Sequence, residues 1–275
     1  YERRGGVTYV LGQYMAWGNY NPTQELVDAY KMDNGKAITD PTSGYDPQKP
    51  YVGREKRFYD DIVYDGATYK MDFMPTADVI YTRIDLTSPN PDKTNQIDLA
   101  GKTDVGDSGY YQKKKLNQDA APGDDASGQN YIFYRYAQVL LDYAEAQNEA
   151  VGPDASVYDA INKVRARSSV PALATGLSQA EMRNILADER RVELSFESKR
   201  YLDTKRLAKG AERMGVTRHN MVIRNSVPAN NSGVWVYSVE PEIKYTVKFN
   251  PKQYMNPIPQ DAIDQNPNVK QNPGY

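Results

Sequence analysis

The stretch Asp188-Glu-Arg-Arg-Val-Glu-Leu-Ser-Phe-Glu197 closes the most helical part of this sequence. It follows Ser178-Gln-Ala-Glu181, a capping box in which Ser178 and Glu181 each accept a hydrogen bond from the other's backbone N–H group. Apolar residues then recur at helical spacing on one face, and that face continues into two carboxylates. Its positions are Met182, Ile185, Leu186, Glu189, Glu193, Phe196 and Arg200.

Glu189 and Glu193 therefore stand where core residues are expected. A buried carboxylate is costly unless it is paired, and the sequence places Arg190, Arg191, Lys199, Arg200 and Arg206 close by. A glycosidase-like acid/base pair, with carboxylates about 5 Å apart, is the alternative, but a helix interior among cations leaves no open face for a sugar ring. We predict a structural ion network of Glu189, Arg190, Glu193, Glu197, Arg200, Asp203 and Arg206.

Two more amphipathic helices are predicted upstream. The first covers residues 132–150, and the second follows a break at Gly152-Pro153-Asp154 and stops before Pro171. Together they have the size of one tetratricopeptide-type helical hairpin. The predicted buried positions are Tyr136, Val139, Leu140, Tyr143, Ala144 and Gln147 in the first helix and Val157, Ala160, Ile161 and Val164 in the second.

The flanking segments are rich in Gly, Pro, Asn and Asp, so we expect one domain, 1–275, in which a helical scaffold (132–208) lies between a loop-rich segment (1–131) and a C-terminal segment (209–275). Thr23 is expected to cap a short helix. The expected β structure is a hairpin of Ile62-Val63-Tyr64 and Ala67-Thr68-Tyr69 around Asp65-Gly66, a strand at 79–86 and two short strands within 234–249. Residues 87–130 are expected to form a surface excursion. The proline-rich end, 251–275, is expected to run extended without a helix, held by Tyr254, Met255, Ile258 and Ile263.

Composition excludes several functions. The 275 residues carry 34 Lys+Arg and 36 Asp+Glu, so there is no basic excess to bind nucleic acid. Cys is absent and His219, expected at the surface or packed in a loop, is the one histidine, which argues against thiol chemistry, a soft-metal site and any cofactor. An acidic turn at Asp119, Asp124 and Asp125 fits no EF-hand spacing. No run is long and apolar enough to span a bilayer.

Tyrosine is unusually frequent, 23 residues against 5 Phe and 2 Trp. Tyr14, Trp17, Asn19 and Tyr20 lie close together, and flat rings with nearby amides can stack on sugars and bond their hydroxyls. The alternative, that these rings anchor a loop on the core, is equally open. The candidate ligand-binding residues are Tyr14, Trp17, Asn19, Tyr20 and Tyr45. Trp235 and Tyr237 form a second pair, expected to pack in a strand.

Several stretches, in order along the chain, closely resemble the SusD/RagB family of nutrient-binding outer-membrane lipoproteins. They include Tyr134-Arg-Tyr-Ala-Gln-Val-Leu-Leu-Asp-Tyr-Ala-Glu-Ala-Gln-Asn-Glu149, Ile161-Asn-Lys-Val-Arg-Ala-Arg167 and the stretch 188–206 quoted above. Asn21-Pro-Thr-Gln-Glu-Leu-Val-Asp28, Ser43-Gly-Tyr-Asp-Pro47, Pro257-Ile-Pro259, Asn266-Pro-Asn268 and Gln271-Asn-Pro-Gly-Tyr275 resemble the family as well.

The resemblance implies the C-terminal half of such a protein. The implied fold is mainly α, a tetratricopeptide-like helical scaffold with long irregular loops and a few short β-hairpins. The implied function is non-catalytic glycan binding at the cell surface, with delivery to a TonB-dependent SusC-like transporter. Oligopeptide binding is the alternative, and glycoside hydrolysis a distant third. The resemblance also implies an outer-membrane location, with a lipid anchor in an N-terminal half outside this sequence.

Overall fold

The computed structural model describes residues 21–70, 75–87, 94–95, 108–115, 130–242 and 248–275. These residues are mainly helical, with smaller sheets. The helices are α1 (Gln24–Val27), α2 (Lys56–Asp61), α3 (Tyr136–Val151), α4 (Ala155–Arg167), α5 (Gln179–Glu193), α6 (Arg200–Arg206), α7 (Gly210–Arg213) and α8 (Gln260–Gln265). The strands are β1 (Ile62–Val63), β2 (Ala67–Tyr69), β3 (Asp78–Ile80), β4 (Arg83–Ile84), β5 (Thr94–Asn95), β6 (Tyr111–Gln112), β7 (His219–Asn225) and β8 (Trp235–Pro241).

The three longest helices share one apolar core. Helix α3 contacts both α4 and α5, and the α4 stripe is buried as predicted. The α5 capping box is present with both of its hydrogen bonds, and Asp154 caps α4 by accepting from the N–H groups of Ser156 and Val157. The buried cluster contains Leu141, Ala144, Val157, Tyr158, Ala160, Ile161, Val164, Met182 and Leu186.

A second core is aromatic and joins distant segments. Tyr30 meets Phe58 edge-on at 6.1 Å between ring centroids, and Tyr51 stacks on Phe58 at 6.0 Å. Tyr110 is fully buried beside them, so part of the segment 87–130 belongs to the core and the expected surface excursion is wrong there. Strand β7 contributes Met221 and Ile223 to the same cluster.

The predicted hairpin around Asp65-Gly66 is not formed. Chain reversal does occur there, since Gly66 has a φ of +84° and the Ala67 N–H bonds to the Tyr64 carbonyl. The two flanking strands nevertheless pair elsewhere, β1 with β6 and β2 with β3. The reason is Asp65, which accepts hydrogen bonds from the Thr82 N–H and the Arg83 side chain and so ties the turn to β4.

The stretch 79–86, predicted as one strand, is split between β3 and β4, which belong to different sheets. Of the two strands predicted within 234–249, the first is β8, whereas most of the second lies outside the described residues. The partner of β8 is β7, in a segment expected to be rich in loops. The four-stranded sheet has the order β5-β4-β7-β8, with β4 and β7 parallel and the other pairs antiparallel.

The predicted buried face of α3 is rotated. Tyr136, Val139 and Tyr143 are 69%, 43% and 48% exposed. Ala144 is buried as predicted, but the other buried residues of α3 are Gln138, Leu141 and Asn148. This face is hard to recognise in the sequence because it contains polar residues. The Asn148 amide can be buried because it donates a hydrogen bond to the Gln179 carbonyl at 3.0 Å.

Helix α5 ends at Glu193, so the continuous helical face through Phe196 and Arg200 is not formed. Phe196 and Ser198 both have a φ of +60°, a left-handed conformation that turns the chain. Helix α6 then starts at Arg200. Glu189 and Glu193 therefore lie on α5 as predicted, whereas Glu197 lies in the turn that follows it.

The C-terminal end contains helix α8, contrary to the prediction. Pro259 precedes the helix and Pro267 follows it, so its interior is free of proline. Tyr254 does hold the segment, donating its hydroxyl to the Ala208 carbonyl at 3.0 Å, whereas Met255 is 53% exposed. No described helix is long and apolar enough to cross a membrane.

Candidate functional site

Glu193 lies at the end of α5 with none of its surface exposed. Its Oε1 accepts from Arg135 at 2.6 Å and from Arg167 at 2.9 Å, and its Oε2 accepts from Arg57 at 3.1 Å. Three guanidinium groups from three separate segments therefore surround one carboxylate. Such charge-assisted bonds are the strong class of hydrogen bond.

The neighbouring carboxylates extend this cluster. Glu189 accepts from Arg57 at 2.6 Å and from Arg165 at 3.0 Å. Glu197 takes two bonds of 2.8 Å from Arg135 in fork geometry. Glu55 bonds to Arg57 at 3.0 Å and Lys114 lies 3.0 Å from Glu197. We call this set the glutamate–arginine network; it consists of Glu55, Arg57, Lys114, Arg135, Arg165, Arg167, Glu189, Glu193 and Glu197.

The other predicted members form a separate cluster. Arg190 donates two bonds of 3.1 Å to Asp203, which also accepts from Arg206 at 2.9 Å. Arg190 pairs with Asp142 as well, and Arg206 pairs with Glu145. Among the described residues Arg200 has no carboxylate within 4.0 Å. The cations nearest in sequence are thus not the partners of Glu189 and Glu193.

The network favours the charged form of Glu193 and Glu197. Burial pushes the pKa of Glu193 up, but hydrogen bonds and charges from Arg135, Arg167 and Arg57 outweigh it and hold that pKa below its usual value. The pKa of Glu197 is lowered against burial in the same way by Arg135 and Lys114. Glu55 differs, because burial dominates and raises its pKa. Glu193 is therefore ionised at neutral pH and acts as a partner of arginines.

Four of the candidate ligand residues, Tyr14, Trp17, Asn19 and Tyr20, lie outside the described residues, as does the acidic turn with Asp119, Asp124 and Asp125. Tyr45 is described and half-buried. The guanidinium of Arg54 lies 5.8 Å from its ring centroid, a cation–π distance. Part of the Tyr45 ring remains open to solvent.

Gln48 lies in the same loop as Tyr45 and links that loop to strand β8. Its amide accepts from the Tyr237 N–H at 3.2 Å and donates to the Tyr237 carbonyl at 3.1 Å. Trp235 and Tyr237 are partly buried against the aromatic core, which confirms the packing role predicted for them. The Arg83 guanidinium lies between two rings, 4.4 Å from Tyr81 and 4.9 Å from Trp235.

His219 begins strand β7 and is half-buried. Its Nδ1 lies 2.7 Å from Glu25 Oε1 of α1, so it links the sheet to the first helix. Within the described ranges, no group of His, Asp and Glu side chains is arranged to hold a metal ion.

A family model settles what this chain is related to. The SusD family model, SusD_RagB, matches residues 3–275. The chain belongs to the SusD family. A curated relative, SusD-like protein P2 of Formosa agariphila, is 32% identical over 157 residues, which are 54% of this chain and 26% of that protein.

Solved structures of SusD-like proteins share the fold. A SusD-like protein from Bacteroides fragilis superposes with a TM-score of 0.74 at 29% identity, over 98% of this chain and 50% of the other. A SusD-like carbohydrate-binding protein from the same species gives 0.66 at 26% identity, over 93% of this chain and 49% of the other. The chain thus spans about half the length of these SusD-like structures.

Sequence reasoning missed six of the nine members of the network in this SusD-family chain, namely Glu55 and all five cations. Arg57 and Lys114 lie in segments expected to be loop, and Arg135 precedes α3. Arg165 and Arg167 stand in a stretch quoted for its family resemblance, without an assigned role. The available signal was the helix itself, since two carboxylates on a core face require cations from whatever packs against them.

Proposed function

We propose that this chain is part of a cell-surface protein that binds glycans without cleaving them. The observation that carries the proposal is the SusD family match over residues 3–275. Support comes from the relative described as a SusD-like carbohydrate-binding protein, which aligns with 93% of this chain. Oligopeptide binding is the alternative that the experiment below must distinguish.

The proposed ligand site combines Tyr14, Trp17, Asn19 and Tyr20 with Tyr45. Aromatic rings of this kind bind sugars by stacking on the apolar C–H face, while amide groups reach the hydroxyls. Tyr45 supports the assignment because its partly open ring is held by Arg54. A platform fixed before binding loses less conformational entropy when the sugar arrives.

The glutamates support a non-catalytic role. A retaining glycosidase needs one carboxyl group free to attack and another able to donate a proton. Both oxygens of Glu193 are bonded to arginines and the residue has no exposed surface. A carboxylate held ionised in this way is unsuited to act as a general acid, because its lowered pKa keeps the proton off.

We propose a cellular location and a transporter partner from what is expected of the SusD family. We propose an outer-membrane lipoprotein on the extracellular face that passes its glycan to a SusC-like TonB-dependent transporter. Helices α3 and α4 are joined by a short link at Gly152. We propose that this pair belongs to a tetratricopeptide-like scaffold that carries the ligand face. No cofactor or metal takes part in this proposal.

Calorimetry on a panel of oligosaccharides tests the proposal, with reducing-end release measured on the same samples. We expect heat of binding for at least one glycan and no release of new reducing ends. Turnover that is abolished by Glu193→Gln in a still-folded protein would contradict it. Enrichment of peptides over glycans in mass spectrometry of the purified protein would favour the oligopeptide alternative.

A further inference from the structure

A pocket between the end of α5 and helices α6 and α7 is lined by four arginines. Arg190, Arg191, Arg200 and Arg213 contribute to its wall together with Asp203. Its space is about 330 Å³ including the open mouth, but the enclosed part has room for about one water-sized atom. This pocket is separate from the glutamate–arginine network described above.

The charges around the pocket do not balance. Arg190 is neutralised by Asp203 and Asp142, and Asp203 is shared with Arg206. Arg213 has looser contacts of 3.5 Å with Asp188 and with Glu212. In the part of the chain that the structure describes, neither Arg191 nor Arg200 has a carboxylate within 4.0 Å. Two half-buried guanidinium groups thus lack a direct ion pair, although Asp188 acts on both at longer range and Asp203 acts on Arg200.

Burial and like-charge repulsion lower the pKa values of two of these arginines. Burial lowers the pKa of Arg200 to about 10, with Arg191 and Arg213 adding like-charge repulsion. Burial also lowers the pKa of Arg191, and Arg213 again opposes its charge. Like charges held close together in a partly buried pocket repel one another, so an anion between Arg191 and Arg200 would stabilise them.

We propose that this pocket binds a small oxyanion group, sulfate-like in shape, through Arg191 and Arg200. Guanidinium forks match the paired oxygens of sulfate, phosphate and carboxylate. The small enclosed volume admits a single oxygen of such a group and excludes a sugar ring. The oxyanion is either a free inorganic ion or a substituent on an acidic sugar, and both present the same chemistry to the pocket. The proposal does not depend on the glycan-binding function.

The test measures binding of sodium sulfate by calorimetry at constant ionic strength, with sodium chloride making up the difference. We expect Arg200→Gln and Arg191→Gln each to weaken sulfate binding at least tenfold. Arg183→Gln is the matched control, because Arg183 lies on the same helix but is paired with Glu149; it should bind as the unmodified protein does.

Thermal melting in chloride separates a binding role from a structural one. Because Arg200 faces like charges, Arg200→Gln should melt at the same or a higher temperature than the unmodified protein. A clear drop in melting temperature would mean that Arg200 holds the fold, and would overturn the proposal. Sulfate binding left unchanged in both pocket variants would overturn it as well.

A second titration identifies the source of the oxyanion. Glucose 6-sulfate is compared with glucose, using the unmodified protein and Arg200→Gln. Binding of glucose 6-sulfate that Arg200→Gln abolishes, with none of glucose, supports an oxyanion carried on a sugar. Arg200-dependent binding of inorganic sulfate alone supports a free ion.

Discussion

Glu193 is the residue on which three arginines converge, so removing its carboxylate leaves Arg57, Arg135 and Arg167 facing one another. We expect Glu193→Ala to lower the free energy of unfolding by about 3–5 kcal/mol, the range for breaking a buried ion pair from one side. Urea unfolding followed by circular dichroism measures this. Glu149→Ala is the control, since the Glu149–Arg183 pair is exposed and exposed pairs contribute little. Unchanged stability with lost glycan affinity would show that Glu193 has been misassigned.

The same residue gives stability a dependence on pH. The pKa of Glu193 is lower in the folded protein than its usual value, whereas the unfolded chain has a pKa near 4.3. Unfolding therefore takes up a proton between these pKa values, and the Glu193 contribution is present above pH of about 4.3 and lost as pH falls further. Glu193→Gln should flatten the fall in unfolding free energy below that pH; equal slopes in the two proteins would contradict this.

Replacing Gly109 or Gly66 by alanine distinguishes two energetic costs of adding a side chain, backbone strain and steric overlap. Both have positive φ, +78° and +84°, which costs a non-glycine residue roughly 1–2 kcal/mol. A Cβ at Gly66 meets nothing within 4 Å, whereas one at Gly109 overlaps the Met221 carbonyl in β7. Gly109→Ala should therefore destabilise clearly more than Gly66→Ala in urea unfolding. Equal losses would mean that the sheet yields to the added methyl group.

The glutamates of α5 could be predicted from the sequence, but their arginine partners could not. The α5 pattern was enough to place Glu189 and Glu193 on a core face, because helical periodicity is local. Their partners are not local: Arg57 precedes Glu193 by 136 positions. Any arginine on a packing surface could fill that role, so only the fold selects it.

At the level of elements, strand β8 lies at an edge of the described sheet, and Gln48 occupies the Tyr237 N–H and carbonyl there. Open edges invite pairing with a second chain. We expect Gln48→Ala to increase self-association, seen as a larger mass in sedimentation velocity at high protein concentration. Gln265→Ala, at an exposed helix position, should stay unchanged. A Gln48→Ala protein that remains as monodisperse as the control would contradict a protective role.

Elements were predictable where one face was purely apolar. The α4 stripe and the α5 cap followed from local spacing, and both are present. The buried face of helix α3 could not be predicted from its apolar residues, because it includes Gln138 and Asn148, while Tyr136 and Tyr143 are exposed. The pairing of β1 with β6 joins residues about fifty positions apart, a separation that turn chemistry at Asp65-Gly66 does not encode.

For the whole molecule, two cores meet through the glutamate–arginine network. Glu189 and Glu193 on α5 bind Arg57 of α2 and Arg165 of α4, so the aromatic core and the helical core are linked by ion pairs. We propose that a separate ligand face, formed by Tyr14, Trp17, Asn19, Tyr20 and Tyr45, binds glycans through its aromatic rings.

The most direct test is calorimetric titration of the best-binding glycan into the unmodified protein and into Trp17→Ala. We predict that Trp17→Ala weakens binding by about 1–3 kcal/mol, as for an aromatic hot spot, with little change in unfolding free energy. Tyr275→Ala, which removes a ring that is 44% exposed, should bind normally. Unchanged glycan affinity in Trp17→Ala, accompanied by a stability loss of about 3 kcal/mol or more as for an aromatic residue in the core, would contradict the account.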